Sequence, residues 1–366
     1  MTKKRAVSAQ VQPDRCFQKE LSGENPPSFS TMQTLYGLAS TLYGLRPWRL
    51  LDESELILVR DRASSEICYC SVMGALGEVL AMHAYIGARG YRLFRKLADE
   101  EITDPGEFFR SQHSVSVEFV PRAELEGEDR KLLSALGHPV GKGLASPIFR
   151  TIRPGFYPWF VTQEEAETLM QCIHAVILVC SAVAEEANVN FWDKPDTYPM
   201  VTSVNKGHDQ YRIEPMKVAV PGEPPIVSSR LDEESIRRLR SQDYAVRGVM
   251  ELDRIFSPAV IGKKNERKAS TCIALAVDAN SGMVYPPELT TSAVAAGDAL
   301  AKVCIKAIQT SRAMPREIRV RSSGLKECLA PLSEALGVPI KVAGKLRALD
   351  EAQSHLLKML AGQPWR

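Results

Sequence analysis

The sequence predicts an α+β N-terminal domain built on an antiparallel meander, then an α/β C-terminal domain with a mixed sheet flanked by helices. Three observations predict it. Period-two apolar runs crowd residues 56–86, and an ordered β-β-β-α-β-α-β-α series of periodicities fills 245–361. Between them lies a stretch carrying Pro195, Pro199, Pro215, Pro221, Pro224 and Pro225. At 366 residues the chain suits two or three domains. Its 45% hydrophobic and 25% charged residues exclude a disordered or collagen-like chain.

The elements follow in order. Residues 1–30, rich in Pro, Ser, Gln and charge, read as a disordered tail. The first domain spans 31–190. Met32, Leu35, Leu38 and Leu42 recur at helical spacing, and Gly44 and Pro47 end that helix. Strand-like runs at 56–59, 67–73 and 79–86 form the meander. A helix over 88–98, a strand over 115–120 and a helix over 122–136 come next. Thr162 with Glu165 three residues on is a capping box opening a long helix. Residues 191–242 read as the connector, with short strands near 198–204 and 211–219 and a charged helix in LDEESIRRLRS. The last domain, 243–366, contains strands 245–253, 271–278 and 282–288, helix 292–312 and strand 316–321. Helix 324–336, strand 338–343 and helix 347–361 complete it.

Charge is unevenly spread. Residues 240–366 carry 19 Lys+Arg against 12 Asp+Glu in a chain whose net charge is only +2. A basic C-terminal domain therefore follows an acidic region, which suits a polyanion-binding surface or pairing of oppositely charged domains. The basic, polar start MTKKRAVSAQ lacks the apolar core of a secretory signal. The longest apolar run, 173–184, is interrupted by His174 and flanked by Glu185 and Glu186, short of a bilayer span of roughly 20 residues. No membrane association is expected, and a cytoplasmic location is. The eight cysteines include no C-x-x-C pair; Cys68 and Cys70 sit in a strand pattern, so buried free thiols are expected and no metal site.

The segment GHPVGKG at 137–143 departs from a Walker A loop, which needs four residues before GK and then Ser or Thr; a surface turn is expected. RPGFYPW at 153–159 offers Phe156, Tyr157 and Trp159 as a partner-binding platform, against the competing expectation that these aromatics plug into the core.

Here the sequence reaches a resemblance. The run WRLLDESELILVRDRASSEICYCSVMGALGEVLAMHAYIGARGYRLF, with RPGFYPWFVTQEEA, resembles the first domain of a family of uncharacterised bacterial two-domain proteins. LAVDANSGMVYPPEL, PREIRVRSSGLKECLAPLSEALGVPIKV and LRALDEA resemble its second domain. The resemblance implies a bacterial cytoplasmic protein and an architecture, but no activity.

The C-terminal element order is also similar to the ribonuclease H-like fold of retroviral-type integrases and transposases. Those enzymes clamp two divalent cations between three carboxylates. The resemblance implies Asp253 on the first strand, with Glu251 two residues earlier on the same face. It implies Asp278 in the turn after the second strand and Glu351 on the last helix beside Asp350. The fourth strand departs from the pattern. IRVRSSG puts Arg321, Ser322 and Ser323 where an acid belongs, and an arginine repels the cations a carboxylate would hold. The expected site is degenerate and binds no metal; Mg²⁺ or Mn²⁺ enters only if the chain is a nuclease after all. Asp278 also reads as a turn former and Asp350 as a helix N-cap.

Arg316, Arg319 and Arg321 are expected to project from one strand face. Lys263, Lys264, Arg267 and Lys268 in the preceding loop would extend them into a nucleic-acid-binding patch, with a solvated edge as the alternative. The sequence thus favours a non-catalytic module engaging nucleic acid or a protein partner through its C-terminal domain. The first alternative is a metal-dependent nuclease or strand-transfer enzyme using Asp253 and Glu351, with Asp278 or Glu251 as third ligand. The second is an assembly protein with paired, oppositely charged domains.

Overall fold

A computed structural model describes residues 24–102, 105–138, 145–185, 190–203, 211–263, 265–292 and 294–361. The chain divides into two compact units. The first comprises 1–103, 111–221 and 262–268; the second comprises 104–110, 222–261 and 269–366.

The first unit is a seven-stranded sheet with helices on both faces. Its elements are α1 (Phe29–Leu45), β1 (Ile57–Arg60), β2 (Ile67–Met73), β3 (Leu80–Ile86), α2 (Gly87–Ala98) and β4 (Ser114–Pro121). Within the sequence of this unit, α3 (Pro105–Ser111) belongs, up to Arg110, to the second unit. Then come α4 (Gly127–Ala135), β5 (Ala145–Ile152), α5 (Gln163–Glu185), β6 (Thr197–Ser203) and β7 (Tyr211–Lys217). The order is β5-β4-β3-β2-β1-β6-β7, every neighbouring pair antiparallel except β1 with β6. The expected meander is the middle of this sheet.

Alternation sorts the side chains. Ile57 and Val59 face α1 and α5, joining Leu35, Leu42, Leu169 and Ile173 in one core. Leu56 and Leu58 face the other way, with Tyr69 and Tyr85, against Tyr91 and Phe94 of α2. Gly90 lets α2 sit against the end of β3, since a Cβ there would lie 2.8 Å from the Tyr85 carbonyl carbon.

Helix α5 is long and apolar enough to cross a membrane by length and composition, which the run at 173–184 alone does not suggest. Its Leu169, Cys172, Ile173, Val176 and Val179 are buried in the first core. Its start is the expected capping box: Thr162 N–H donates to Glu165 Oε2 at 2.9 Å, and Glu165 N–H donates to Thr162 Oγ1 at 3.3 Å.

Several boundaries differ from the sequence expectation. The helix expected over 122–136 is a 3-10 turn at Arg122–Glu124 and then α4, because Glu126 and Asp129 form a second capping box and restart the helix. Strand β5 and helix α3 have no counterpart in the expected series. The stretch expected as a connector is divided: β6 and β7 complete the first sheet, while 222–242 belongs to the second unit. Of the expected N-terminal tail, residues 1–23 lie outside the described residues, as do residues 139–143 of the glycine-containing turn.

The second unit contains α6 (Glu233–Arg240), β8 (Ala245–Val246), β9 (Val249–Ile261), β10 (Ala269–Asp278), β11 (Glu288–Thr291), α7 (Ala296–Ser311), β12 (Ala313–Met314) and β13 (Glu317–Val320). Helices α8 (Ser323–Cys328) and α9 (Ala330–Leu336), strand β14 (Ile340–Val342) and helix α10 (Arg347–Ala361) follow. The sheet order is β11-β10-β9-β13-β14. Strands β9, β10 and β11 are antiparallel neighbours, while β13 and β14 run parallel to β9. Met250, Leu252, Ile318 and Val320 face α7 in one core. Ile255, Ile273 and Leu275 face α10 in another, with Leu346 and Leu349.

The third strand expected at 282–288 forms instead at β11. Pro286 and Pro287 cannot donate to a ladder, so pairing resumes only after them. The single helix expected over 324–336 is broken into α8 and α9, with Pro331 seated in the first turn of α9.

Candidate functional site: an arginine among carboxylates

The α10 face of β9 carries Glu251 and Asp253, which are 4% and 8% exposed. Glu251 accepts the Leu349 N–H at 2.9 Å. A carboxylate from the neighbouring strand thereby satisfies one of the free donors in the first turn of α10. Asp253 Oδ1 accepts the Arg254 N–H at 2.8 Å, and Asp253 Oδ2 accepts Arg321 Nε at 2.7 Å. From the end of β13, Arg321 also donates through Nη2 to Asp350 at 2.7 Å. Burial pulls the Arg321 guanidinium down, but hydrogen bonds and charge from Asp253 and Asp350 outweigh it and raise it above its ordinary value. A permanent cation thus occupies the space between the first-strand acid and the last-helix acid.

Asp253, Glu251 and Asp350 are therefore brought together, and Asp278 and Glu351 are not with them. Asp278 ends β10 opposite Met250, three residues on from Leu275, the partner of Asp253, and an odd offset puts it on the other face of the sheet. Its Oδ1 accepts from Asn280 N–H, Ser281 N–H and the Ser281 hydroxyl, the expected turn former. Glu351 is exposed on α10. Asp350 is not the N-cap: α10 begins at Arg347, a turn earlier, and leaves Asp350 inside the helix to meet Arg321. Among the described residues, no group of three or more His, Cys, Asp or Glu could hold a metal ion. The one signal in the sequence for this arrangement was the arginine itself, standing where the pattern called for an acid.

The basic set does not form one face. Arg316 and Arg319 are three residues apart and so fall on opposite sides of the strand direction, while Arg319 and Arg321 share the α10 side. Arg319 donates to Glu317 at 2.8 Å, and Glu317 also pairs with Lys341 at 2.6 Å. Lys263, Arg267 and Lys268 belong to the first unit; Lys264 lies outside the described residues. The Arg267 side chain is only 10% exposed, 3.7 Å from Glu165, and donates to the Thr151 carbonyl at 3.3 Å. Lys268 Nζ donates to the Gly262 carbonyl at 2.9 Å, and Lys263 lies 3.5 Å from Glu266.

The aromatic loop of the first unit is held in place by its own neighbours. Thr151 and Trp159 exchange backbone hydrogen bonds at 2.8 and 2.9 Å, and Tyr157 N–H donates to the Lys268 carbonyl at 2.9 Å. Arg153 Nε donates to Glu165 at 2.8 Å. Phe156, Tyr157 and Trp159 are all half-buried, between the exposed platform and the core plug that the sequence offered. Arg267 and Lys268 thus occupy part of the surface that the loop presents.

The described cysteines, Cys68, Cys70, Cys172, Cys180, Cys272, Cys304 and Cys328, are all buried and unpaired by disulfides. Burial pushes the Cys180 and Cys304 thiols up to about 12, which keeps them protonated and unreactive at neutral pH.

Comparison with known families gives two matches. Residues 33–200 match the model of a domain of unknown function, DUF7309, and residues 235–357 match that of another, DUF6930. No curated protein matches the chain. The chain therefore carries two domains of unknown function in tandem, a DUF7309 domain followed by a DUF6930 domain.

Proposed function

We propose that the second unit is a ribonuclease H-like domain whose catalytic centre has become an ion-pair hub, and that the protein is a non-catalytic module binding nucleic acid through it. The observation that carries this reading is Arg321 bridging Asp253 and Asp350 at 2.7 Å each. A two-metal site needs carboxylate oxygens free to face the cations. Here both Asp253 oxygens are engaged, and the charge between the acids is already supplied. The order β11-β10-β9-β13-β14, antiparallel in its first three strands and parallel thereafter, supports the fold assignment. Nucleic acid is favoured by the basic balance of 240–366 and by Lys326, Lys345 and Arg347, exposed cations around the β13–α8 and β14–α10 connections.

The test is binding of the full chain to single- and double-stranded DNA and RNA across a salt series with Mn²⁺ present, reading cleavage from the same samples. Binding that weakens steeply with salt, without cleavage, is the expected result. Mn²⁺-dependent cleavage lost in D253A would establish the nuclease instead. Absence of polyanion affinity, with a salt-sensitive oligomeric mass, would point to an assembly protein.

A further inference from the structure

We propose that a cleft at the opposite end of the second sheet, flanked by Arg247 and Arg316, binds the phosphate group of a small phosphate ester, with a nucleoside monophosphate as the fitting size. This site is separate from the arginine–carboxylate hub and does not rest on the nucleic-acid reading. Arg321 follows β13, whereas Arg316 precedes it and Arg247 precedes β9.

The cleft has a volume of about 620 Å³, within the range of small-molecule sites, about 300–1,000 Å³. Backbone pairing builds its floor. Arg247 N–H donates to the Met314 carbonyl and Arg316 N–H to the Gly248 carbonyl, so the two arginines leave adjacent parallel segments. Gly248, at φ +77°, follows Arg247 and turns the chain into β9; a Cβ there would lie 3.0 Å from Asp278 Oδ2.

The charge balance favours an anion. Arg247, Arg316 and Asp278 are the charged residues lining the cleft. Asp278 Oδ1 is already committed to three donors of its own turn. Both arginines are exposed, and Asp278 is their only counter-charge within the lining. Two guanidinium forks can share the three terminal oxygens of a phosphate monoester, whereas one fork already satisfies a carboxylate. Beside them, Met250, Met283 and Tyr285 provide an apolar wall suited to a planar ring.

Calorimetric titration of the full chain tests the site with adenosine monophosphate, adenosine, inorganic phosphate, and short oligonucleotides with and without a 5′-phosphate. Adenosine monophosphate is expected to bind and adenosine not to. R247A and R316A should each weaken binding about tenfold or more, while K358A on α10 leaves it unchanged. Matching far-ultraviolet spectra and melting temperatures establish that the variants fold. Unchanged affinity in R247A and R316A, or no affinity for the monophosphate, overturns the proposal. Binding confined to 5′-phosphorylated oligonucleotides overturns it too, by assigning the cleft to a nucleic-acid end.

Discussion

Arg321 donates its Nε–H to Asp253 at 2.7 Å, fixing a positive charge against a carboxylate that is 8% exposed on the first strand of the second sheet. The same guanidinium reaches Asp350 on α10, so one side chain joins β9, β13 and the last helix. A carboxylate so buried is tolerated only when paired.

Removing that cation therefore exposes the cost. R321A should destabilise the second unit by about 2 kcal/mol, below the figure for a fully buried pair because the Arg321 side chain is 36% exposed. R321D places a third carboxylate beside Asp253 and Asp350. Its melting temperature should rise on adding Mn²⁺, while that of the parent should not. Thermal unfolding of both proteins with and without the metal checks this, and an R321D protein indifferent to Mn²⁺ would show that the acids do not converge.

In the first unit, Asp129 accepts both Nη groups of Arg150 at 3.0 and 2.7 Å, and the Arg150 guanidinium lies 4.7 Å from the Phe160 ring centroid. The side chains of the pair are 11% and 3% exposed. D129A leaves a buried cation unpaired and should cost about 3–5 kcal/mol. Replacing both residues by apolar ones of similar size should recover much of the loss. Urea unfolding of the single and double variants decides it.

The cap of α5 should be worth less. T162A loses one donor–acceptor pair and should cost about 1 kcal/mol. E165Q should cost more, because Glu165 also holds Thr151 Oγ1 and Arg153 Nε at 2.8 Å each. Equal losses in the two variants would mean that those extra contacts contribute nothing to stability.

Acid should unfold the first unit for an identifiable reason. Burial pulls the Glu165 and Asp61 carboxyls up, but hydrogen bonds overcome it. Thr162, Arg153 and Thr151 hold Glu165 below its ordinary 4.5, and Ser64 and Thr168 hold Asp61 below its ordinary 3.8. Both groups are depressed in the folded state. Their contribution is complete above the unfolded values and is lost as pH falls through the folded ones. The urea midpoint should therefore drop from about pH 5 downward. D61N should flatten that acid limb while lowering stability at neutral pH.

Parts of the fold were legible because they are encoded within a few residues. The Thr162–Glu165 spacing marked the start of α5, and alternation over 56–86 marked the meander. The element order of 245–361 anticipated a mixed sheet with helices on both faces. Boundaries slipped where prolines intervened, at Pro286 and Pro287 before β11 and at Pro331 in the first turn of α9. The parallel pairing of β1 with β6 was not legible, since nothing in either strand names a partner about 140 residues away.

The same division holds at the site. By itself the sequence determined that Asp253 and Glu251 share a strand face and that Asp278 closes a turn. These follow from period-two alternation and local hydrogen bonding. Only the tertiary structure decided that Arg321 clasps both Asp253 and Asp350, that Glu251 caps α10, and that Arg247 and Arg316 share a cleft. Those encounters depend on which strands pair and how the last helix packs. Their partners lie tens of residues apart, so no local spacing can encode them.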